Sequence, residues 1–218
     1  MKILLKQVEI ADTASPHNGL VKNILINGGI IEKIADDIAE ADEIINCTNT
    51  SVSPGWVDVF SHFCDPGLEY KETLETGAEA AAAGGYTQVF TLPNTNPVIH
   101  NKSLTEYIVN KAKTLPVTIH PLGAITKACD GNELAEMYDM FASGAIAFTD
   151  GTNAVQSAGL MVKALQYVKA FDGVIIQVPV DKSIGSFGLM HEGIVSTRLG
   201  LPGIPAMAEE LMVARDIK

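Results

Sequence analysis

The distribution of apolar residues divides the chain into two regions with different patterns. Up to about residue 53, short apolar runs alternate with turn residues: "ILLKQVEIA", "VKNILING", "GIIEKIA" and "EIINCT", with "SPHNG" between the first two. Runs of this length, bounded by Gly, Pro, Asn and Ser, are typical of hairpin strands. The first region is therefore predicted to be a small β structure.

After the "SPG" at 53–55, each apolar run is followed by a segment with helical spacing. The runs begin at positions 56, 87, 117, 145 and 173, and a spacing of about thirty residues fits one parallel βα unit. Helices are predicted in "LEYKETLETGAEAAAAGG", "SLTEYIVNKAKTL", "NELAEMYDMFAS" and "SAGLMVKALQYVKAF". Two architectures fit: a five-stranded doubly wound sheet, or the first five units of an eight-stranded barrel. In both, functional residues belong at the C-terminal ends of the strands.

Composition narrows the classes of function. Hydrophobic residues make up 47% of the chain, and 15 basic against 26 acidic side chains give a net charge of −11, which disfavours nucleic acid and membrane surfaces as partners. The three cysteines, Cys47, Cys64 and Cys129, form no C-x-x-C motif, so neither a disulfide framework nor a zinc ribbon is expected. The chain is predicted to be cytoplasmic, with no membrane span.

The blocks "PGWVDVFSHFCDPGLEYKETLETGAEAAAAGGYTQVFTLPNTNPVI", "GAIAFTDG", "HEGIVSTRLGLPGIP" and "AEELMVARD" resemble, in the same order, dihydroorotases of the amidohydrolase superfamily. The class resembled is the one found in multienzyme pyrimidine assemblies. The resemblance implies a (β/α)8 TIM barrel flanked by a small β-sandwich. It therefore favours the barrel over the doubly wound sheet, with a sandwich portion at 1–53 and the first five βα units of the barrel at 54–218.

The first barrel strand of active members of that family ends in D-x-H-x-H-x-R, where the histidines bind zinc and the arginine holds the substrate carboxylate. In this chain Asp58 matches the aspartate and His62 the second histidine. Phe60 stands at the first histidine and Cys64 at the arginine. The resemblance therefore implies that two of the three working positions of this motif are lost.

Family residues are also replaced at other matched positions. In the family's D-D-G, Asp150 matches the first acid but Gly151 replaces the second, and Val178 stands at the fifth-strand histidine. Asn94 in "LPNTNP" matches an asparagine that contacts substrate in the family. Zinc needs about three or four N, O or S ligands, and neither Phe60 nor Val178 has a donor atom. No bound metal and no catalytic residue are therefore expected.

The retained residues also have structural interpretations. His62 is predicted to be a packed or hydrogen-bonded histidine, although Cys64 could join it as a metal ligand because residues two apart on a strand share a face. Asp150 is interpreted as a turn residue or as the N-cap of the following helix, and Asn94 as part of its own turn.

Three hypotheses follow. The first is a catalytically inactive dihydroorotase homologue that serves as a structural subunit, for which the resemblance implies aspartate carbamoyltransferase as the partner. The second is an active zinc-dependent dihydroorotase, or a related enzyme that hydrolyses a cyclic amide, with ligands supplied from elsewhere. The third, compatible with the first, is a fragment of a longer barrel. An oligomer is expected, because an unclosed sheet leaves strand edges unpaired.

Overall fold

The computed structural model describes residues 1–185 and 187–218. The chain divides into two compact units, Met1–Gly55 and Trp56–Lys218, which are described separately. Among the described residues, no helix is both long enough and apolar enough to cross a membrane.

The first unit is a five-stranded mixed sheet. Its strands are β1 (Lys2–Ile10), β2 (Val21–Asn27), β3 (Ile30–Ala35), β4 (Glu43–Asn46) and β5 (Ser51–Val52). They lie in the order β3-β2-β1-β4, with β5 also pairing with β1. The β2–β3 hairpin turns through Gly28 and Gly29, both at positive φ, as a tight two-residue turn requires. Val8, Ile10 and Ile24 form its buried core; the sandwich itself remains a prediction.

The second unit contains a parallel sheet of β6 (Trp56–Ser61), β7 (Tyr86–Thr91), β8 (Thr118–Gly123) and β9 (Ala147–Phe148). The helices α1 (Leu74–Ala83), α2 (Lys102–Ala112), α3 (Met137–Ala142) and α4 (Ala158–Lys169) alternate with the strands. The strands follow one another in chain order, without the reversal that defines a doubly wound sheet. The sheet is therefore a partial barrel, as the resemblance implied, and the alternative architecture is wrong.

Apolar side chains cover both faces of this sheet. Facing the helices, a buried cluster comprises Leu74, Ala78, Val89, Ile99, Ile108, Val117 and Ile119. A second cluster contains Leu92, Leu122 and Ala147, with Phe60, Phe90, Ile146 and Ile176 packed against it. Packing on both faces accounts for the nearly continuous apolar runs of β7 and β8, whereas β6 carries the same pattern with Trp56, Val57 and Val59 exposed.

The fifth predicted strand makes only one bridge to the sheet. Phe148 N donates to Val174 O and Ile176 N donates to Phe148 O, both at 2.8 Å, and Phe148 and Ile175 form a parallel bridge. Its neighbour β9 is only two residues long, so few backbone partners are available. Further along, Gln156 Nε2 donates to Val180 O at 3.0 Å, and this side chain holds the extended segment in place of a strand ladder.

Two predicted helices are shorter than their sequence patterns. Helix α1 begins only after Thr73, whose hydroxyl accepts from the Thr76 amide in a capping box, and the residues before it form turns. Helix α3 lacks the first part of "NELAEMYDMFAS" because that backbone pairs with the chain before it. There, Lys127 N donates to Glu133 O and Ala135 N donates to Ile125 O, so these residues cannot also make helical hydrogen bonds.

The last part of the chain contains short elements: α5 (Lys182–Gly185), β10 (Met190–His191), α6 (Ile194–Leu199), β11 (Gly203–Ile204) and α7 (Met207–Ile217). Strands β10 and β11 form a separate parallel pair. The sequence "VARDIK" lies largely within α7.

Candidate functional site: the carboxyl ends of the barrel strands

Three of the matched residues meet at the carboxyl ends of the strands. His62 follows β6, Asn94 follows β7 and Asp150 follows β9. His62 Nε2 lies 2.9 Å from the backbone oxygen of Asn94, and Asn94 Nδ2 donates to the backbone oxygen of Asp150 at 3.0 Å. The ends of β6 and β9 are thus joined through one asparagine.

Both ring nitrogens of His62 are engaged within the chain. A carbonyl oxygen can only accept, so Nε2 carries the proton and donates to Asn94. Nδ1 then accepts from the thiol of Cys64, whose Sγ lies 2.9 Å away. Cys64 is buried and has φ of 62°, so it reaches His62 through a turn after β6 and not along a strand face. A metal at either nitrogen would have to displace one of these contacts.

The first-histidine position contributes only apolar surface. Phe60 packs against the cluster of Leu92, Leu122 and Ala147, and a benzyl side chain has no lone pair for a metal. Asp58, two residues earlier, is also used locally: Oδ1 accepts from Phe60 N at 3.0 Å and Oδ2 accepts from the Ser61 hydroxyl at 2.5 Å. At this edge, the side chain of Phe60 is engaged in packing and that of Asp58 in short-range hydrogen bonds.

Asp150 is a buried structural carboxylate. It is 3% exposed, and Oδ1 accepts from the amides of Ile125 and Thr126, each at 2.9 Å; the Thr126 hydroxyl donates to Oδ2. Burial raises the pKa of Asp150, and the hydrogen bonds from Thr126 and Ile125 only partly oppose that shift. Desolvation, and then the nearby charge of Asp150, raise the pKa of the buried Cys129 thiol well above its usual range.

The structure corrects two interpretations of these residues. The N-cap of α4 is Ser157, so the N-cap interpretation of Asp150 is wrong; the turn interpretation holds, since Asn153 N donates to Asp150 O at 3.1 Å. The turn around Asn94 is held by other groups, including the Thr95 hydroxyl, which donates to Pro97 O at 2.8 Å. The Asn94 side chain instead reaches across to the loop after β9.

The remaining substituted positions lie beside this arrangement. Gly151, at φ of 61°, is directly next to the Asn94 carboxamide. Val178 is half-buried on the extended segment after the bridge at Ile175. Its side chain has no donor atom.

Zinc, which the resemblance implies for active relatives, does not fit the residues present. Within residues 1–185 and 187–218, no three His, Cys, Asp or Glu side chains are grouped so that they could hold a metal ion. The two matched donors are separately occupied, His62 by Asn94 and Cys64, and Asp150 by backbone amides and Thr126. No catalytic step through a metal is therefore derived for this chain.

A buried ion pair anchors the loop that carries His62 and Cys64, and sequence reasoning missed it. Asp65 is 2% exposed; it accepts from Lys111 Nζ at 2.6 Å, Tyr107 Oη at 2.8 Å and Leu74 N at 3.2 Å. Burial alone would raise the pKa of Asp65, but the bonds from Lys111 and Tyr107 outweigh it and lower that pKa. Tyr107 and Lys111 lie one turn apart on α2, which was the only available signal.

A parallel sheet with consecutive strands, and with the family-matched positions at their carboxyl ends, defines a barrel segment of the amidohydrolase type. Among solved structures, a D-hydantoinase matches the whole chain with a TM-score of 0.73 and 16% identity, over 49% of its own length. The L-hydantoinase (dihydropyrimidinase) from Arthrobacter aurescens matches 84% of the chain and 41% of its own length, with a TM-score of 0.67 and 23% identity. These similarities show the fold.

The sequence comparisons identify the family. The family described as dihydro-orotase-like matches residues 50–218. A dihydroorotase of Syntrophus aciditrophicus is 42% identical over 220 residues, covering 100% of this chain and 52% of the relative. A dihydroorotase of Ruminiclostridium cellulolyticum is 43% identical over 221 residues, covering 100% of this chain and 51% of the relative. The chain belongs to the dihydroorotase-like family, and it spans about half the length of these relatives.

Proposed function

We propose that this chain is a dihydroorotase-like protein of pyrimidine biosynthesis that does not hydrolyse dihydroorotate and serves as a structural partner of aspartate carbamoyltransferase. The observation that carries the proposal is the hydrogen bonding at the strand-end site, the group of His62, Asn94 and Asp150 at the carboxyl ends of the strands. Its matched donors, His62 and Asp150, are hydrogen-bonded within the chain, and Phe60 and Val178 provide none.

Metal chemistry explains why this arrangement opposes catalysis. An assembled zinc site lowers the pKa of bound water to about 7, which makes hydroxide available at neutral pH. That effect requires several donors converging at about 2.0–2.3 Å. A single histidine with both nitrogens engaged cannot assemble such a site, and the apolar cluster around Phe60 adds no donor to it.

The proposed partnership rests on the resemblance to dihydroorotases of multienzyme assemblies and on the surface charge. The net charge is −11, and Glu69, Glu75 and Glu79 are exposed on or before α1. An acidic surface of this kind associates faster with a basic partner, and salt weakens the attraction. Binding to the carbamoyltransferase should therefore fall as ionic strength rises.

The test combines turnover with association. The chain is incubated with dihydroorotate and added zinc, with the Syntrophus aciditrophicus relative as the positive control, and it is mixed with aspartate carbamoyltransferase from its own organism at low and moderate salt. We expect no turnover and co-elution on size exclusion. Turnover that a chelator abolishes would refute the inactivity, and separate elution at both salt concentrations would refute the partnership.

The second candidate is an active zinc-dependent cyclic amidohydrolase whose missing ligands come from residues outside these 218. The observation that favours it is the coverage, because the chain spans only 52% of the Syntrophus aciditrophicus relative. Under this alternative, a second polypeptide supplying the remaining barrel strands would confer chelator-sensitive turnover on the mixture. The first proposal predicts that the mixture stays inactive.

A further inference from the structure

The side chain of Asn94 occupies the space that a side chain at position 151 would need. A β-carbon built on Gly151 would overlap Asn94 Oδ1 and would lie 2.6 Å from its Cγ and 3.0 Å from its Nδ2. Position 151 is where active relatives of the resembled class carry their second acid. The observed position of the Asn94 side chain therefore requires a residue without a β-carbon at position 151.

Hydrogen bonding fixes which way the carboxamide points. Nδ2 donates to the backbone oxygen of Asp150 at 3.0 Å; with the amide reversed, two oxygens would face each other. Oδ1 therefore lies on the Gly151 side, where it is buried and meets no N–H or O–H group of residues 1–185 and 187–218. The α-hydrogen of Gly151 that a β-carbon would replace points towards this oxygen, and a Cα–H group can make a weak contact with an oxygen.

The backbone of Asn94 also takes part, because its carbonyl oxygen accepts from His62 Nε2 at 2.9 Å. One residue thus binds the end of β6 through its backbone and the loop after β9 through its side chain. In metal-dependent relatives, the ligands of a shared metal would tie such strand ends together. Here a hydrogen-bonded side chain makes that connection.

We propose that Asn94 is an internal cross-link that closes the strand-end site: its carboxamide fills the second-acid position beside Gly151 and joins the ends of β6 and β9. Two consequences follow. The carboxamide is not available to bind a small-molecule substrate, and an acid restored at position 151 would first have to displace Asn94. The cross-link adds a structural reason to the proposed lack of activity. The contact itself can be measured whether or not the protein has activity.

The test is a double-mutant cycle of thermal stability. Gly151→Ala introduces both the clash with Asn94 and the cost of a β-carbon at φ of 61°. Gly200→Ala is the matched control, since Gly200 has φ of 65° with nothing within 4 Å of its built β-carbon. The left-handed conformation alone should lower Tm by about 2–8 °C in a chain of this size.

We expect Gly151→Ala to lower Tm clearly more than Gly200→Ala. In the Asn94→Ala background its effect should fall to that of the control, because the clash is gone and only the backbone cost remains. Equal effects of the two glycine substitutions, or an effect of Gly151→Ala that is the same with and without Asn94, would overturn the proposal. Folding of the double variant where Gly151→Ala alone does not fold would support it.

Hydrogen exchange keeps the proposal testable even if neither variant folds. In the unchanged protein, the side-chain NH2 resonance of Asn94 should exchange more slowly than that of the exposed Asn49 and Asn132, because it donates to a backbone carbonyl inside the site. Exchange of Asn94 as fast as that of those two asparagines would overturn the proposal.

Discussion

The substitution Asp65→Asn tests whether a buried ion pair holds the loop that carries His62 and Cys64. The carboxylate accepts a charged hydrogen bond from the Lys111 ammonium group. It also accepts hydrogen bonds from the Tyr107 hydroxyl and from the Leu74 amide at the start of α1. An asparagine of the same shape keeps one acceptor oxygen but turns an NH2 group towards one of these donors. The change therefore removes the charge that Lys111 faces and replaces one of the two acceptor oxygens with a donor group.

The expected cost follows from burial and from the remaining partners. Removing one member of a buried ion pair typically costs about 3–5 kcal/mol. Lys111 is 28% exposed and also lies 3.3 Å from Glu75, so it can be partly satisfied without Asp65, and the lower end, about 3 kcal/mol, applies. At about 2–4 °C per kcal/mol for a chain of this size, Tm should fall by about 6–12 °C.

The assay is thermal denaturation followed by circular dichroism, with Glu133→Gln as the control. Glu133 pairs with Lys127 at 2.7 Å, but that pair is at the surface, so its loss should leave Tm within experimental scatter. A shift for Asp65→Asn no larger than that of the control would refute the assigned role of the ion pair.

The pH dependence supplies a second check on Asp65. Its folded-state pKa is lowered, so its contribution to stability is fully present above the unfolded pKa of about 3.9 and is lost as pH falls through the folded value. The Tm difference between the unchanged protein and Asp65→Asn should be constant from about pH 5 to 8 and should shrink below about pH 4. A difference that instead grew in acid would contradict this sign.

Two further predictions concern the inner carboxylate and the open sheet edge. Burial raises the folded pKa of Asp150, so its ionisation lowers stability as pH rises from about 3.9 through the folded value. The Tm difference between Asp150→Asn and the unchanged protein should therefore shift in favour of the variant as pH rises above about 4 in thermal melts, and a shift in the opposite direction would contradict the assignment. Of the described strands, only β7 pairs with β6, and Val59 on β6 is 52% exposed, so we expect self-association through this edge. Light scattering should give a mass above 23.2 kDa that Val59→Lys reduces; a mass of one chain in both proteins would refute the expectation.

Strand positions in the second unit could be predicted because burial on both faces leaves a long apolar run in the sequence. Helices α2 and α4 were also placed closely, because each has an apolar stripe and a side-chain N-cap, Asn101 and Ser157. The predictions were less accurate where backbone groups bind partners outside the element. The segment before α3 pairs with residues 125–127, and no local propensity signals that competition.

The sequence predicted which residues belong to the candidate site but not which contacts they make. Matching to the family motif selected His62, Asn94 and Asp150, and the structure brings these residues together. The contacts that define their roles join distant positions: Asp150 binds Thr126, 24 residues away, and Asn94 contacts Gly151, 57 residues away. Such pairs depend on strand order and loop conformation, so the sequence could indicate which donors were lost but not how the remaining ones are used.

The zinc content of the purified protein tests the central claim most directly. The chain and the Syntrophus aciditrophicus relative are loaded with zinc in parallel and dialysed together, and the metal is measured by mass spectrometry. Because no three donors converge among the described residues, we predict far less than one zinc per chain, with no change in His62→Ala. A content near one zinc per chain that His62→Ala abolishes would show that His62 is a metal ligand and would contradict the account.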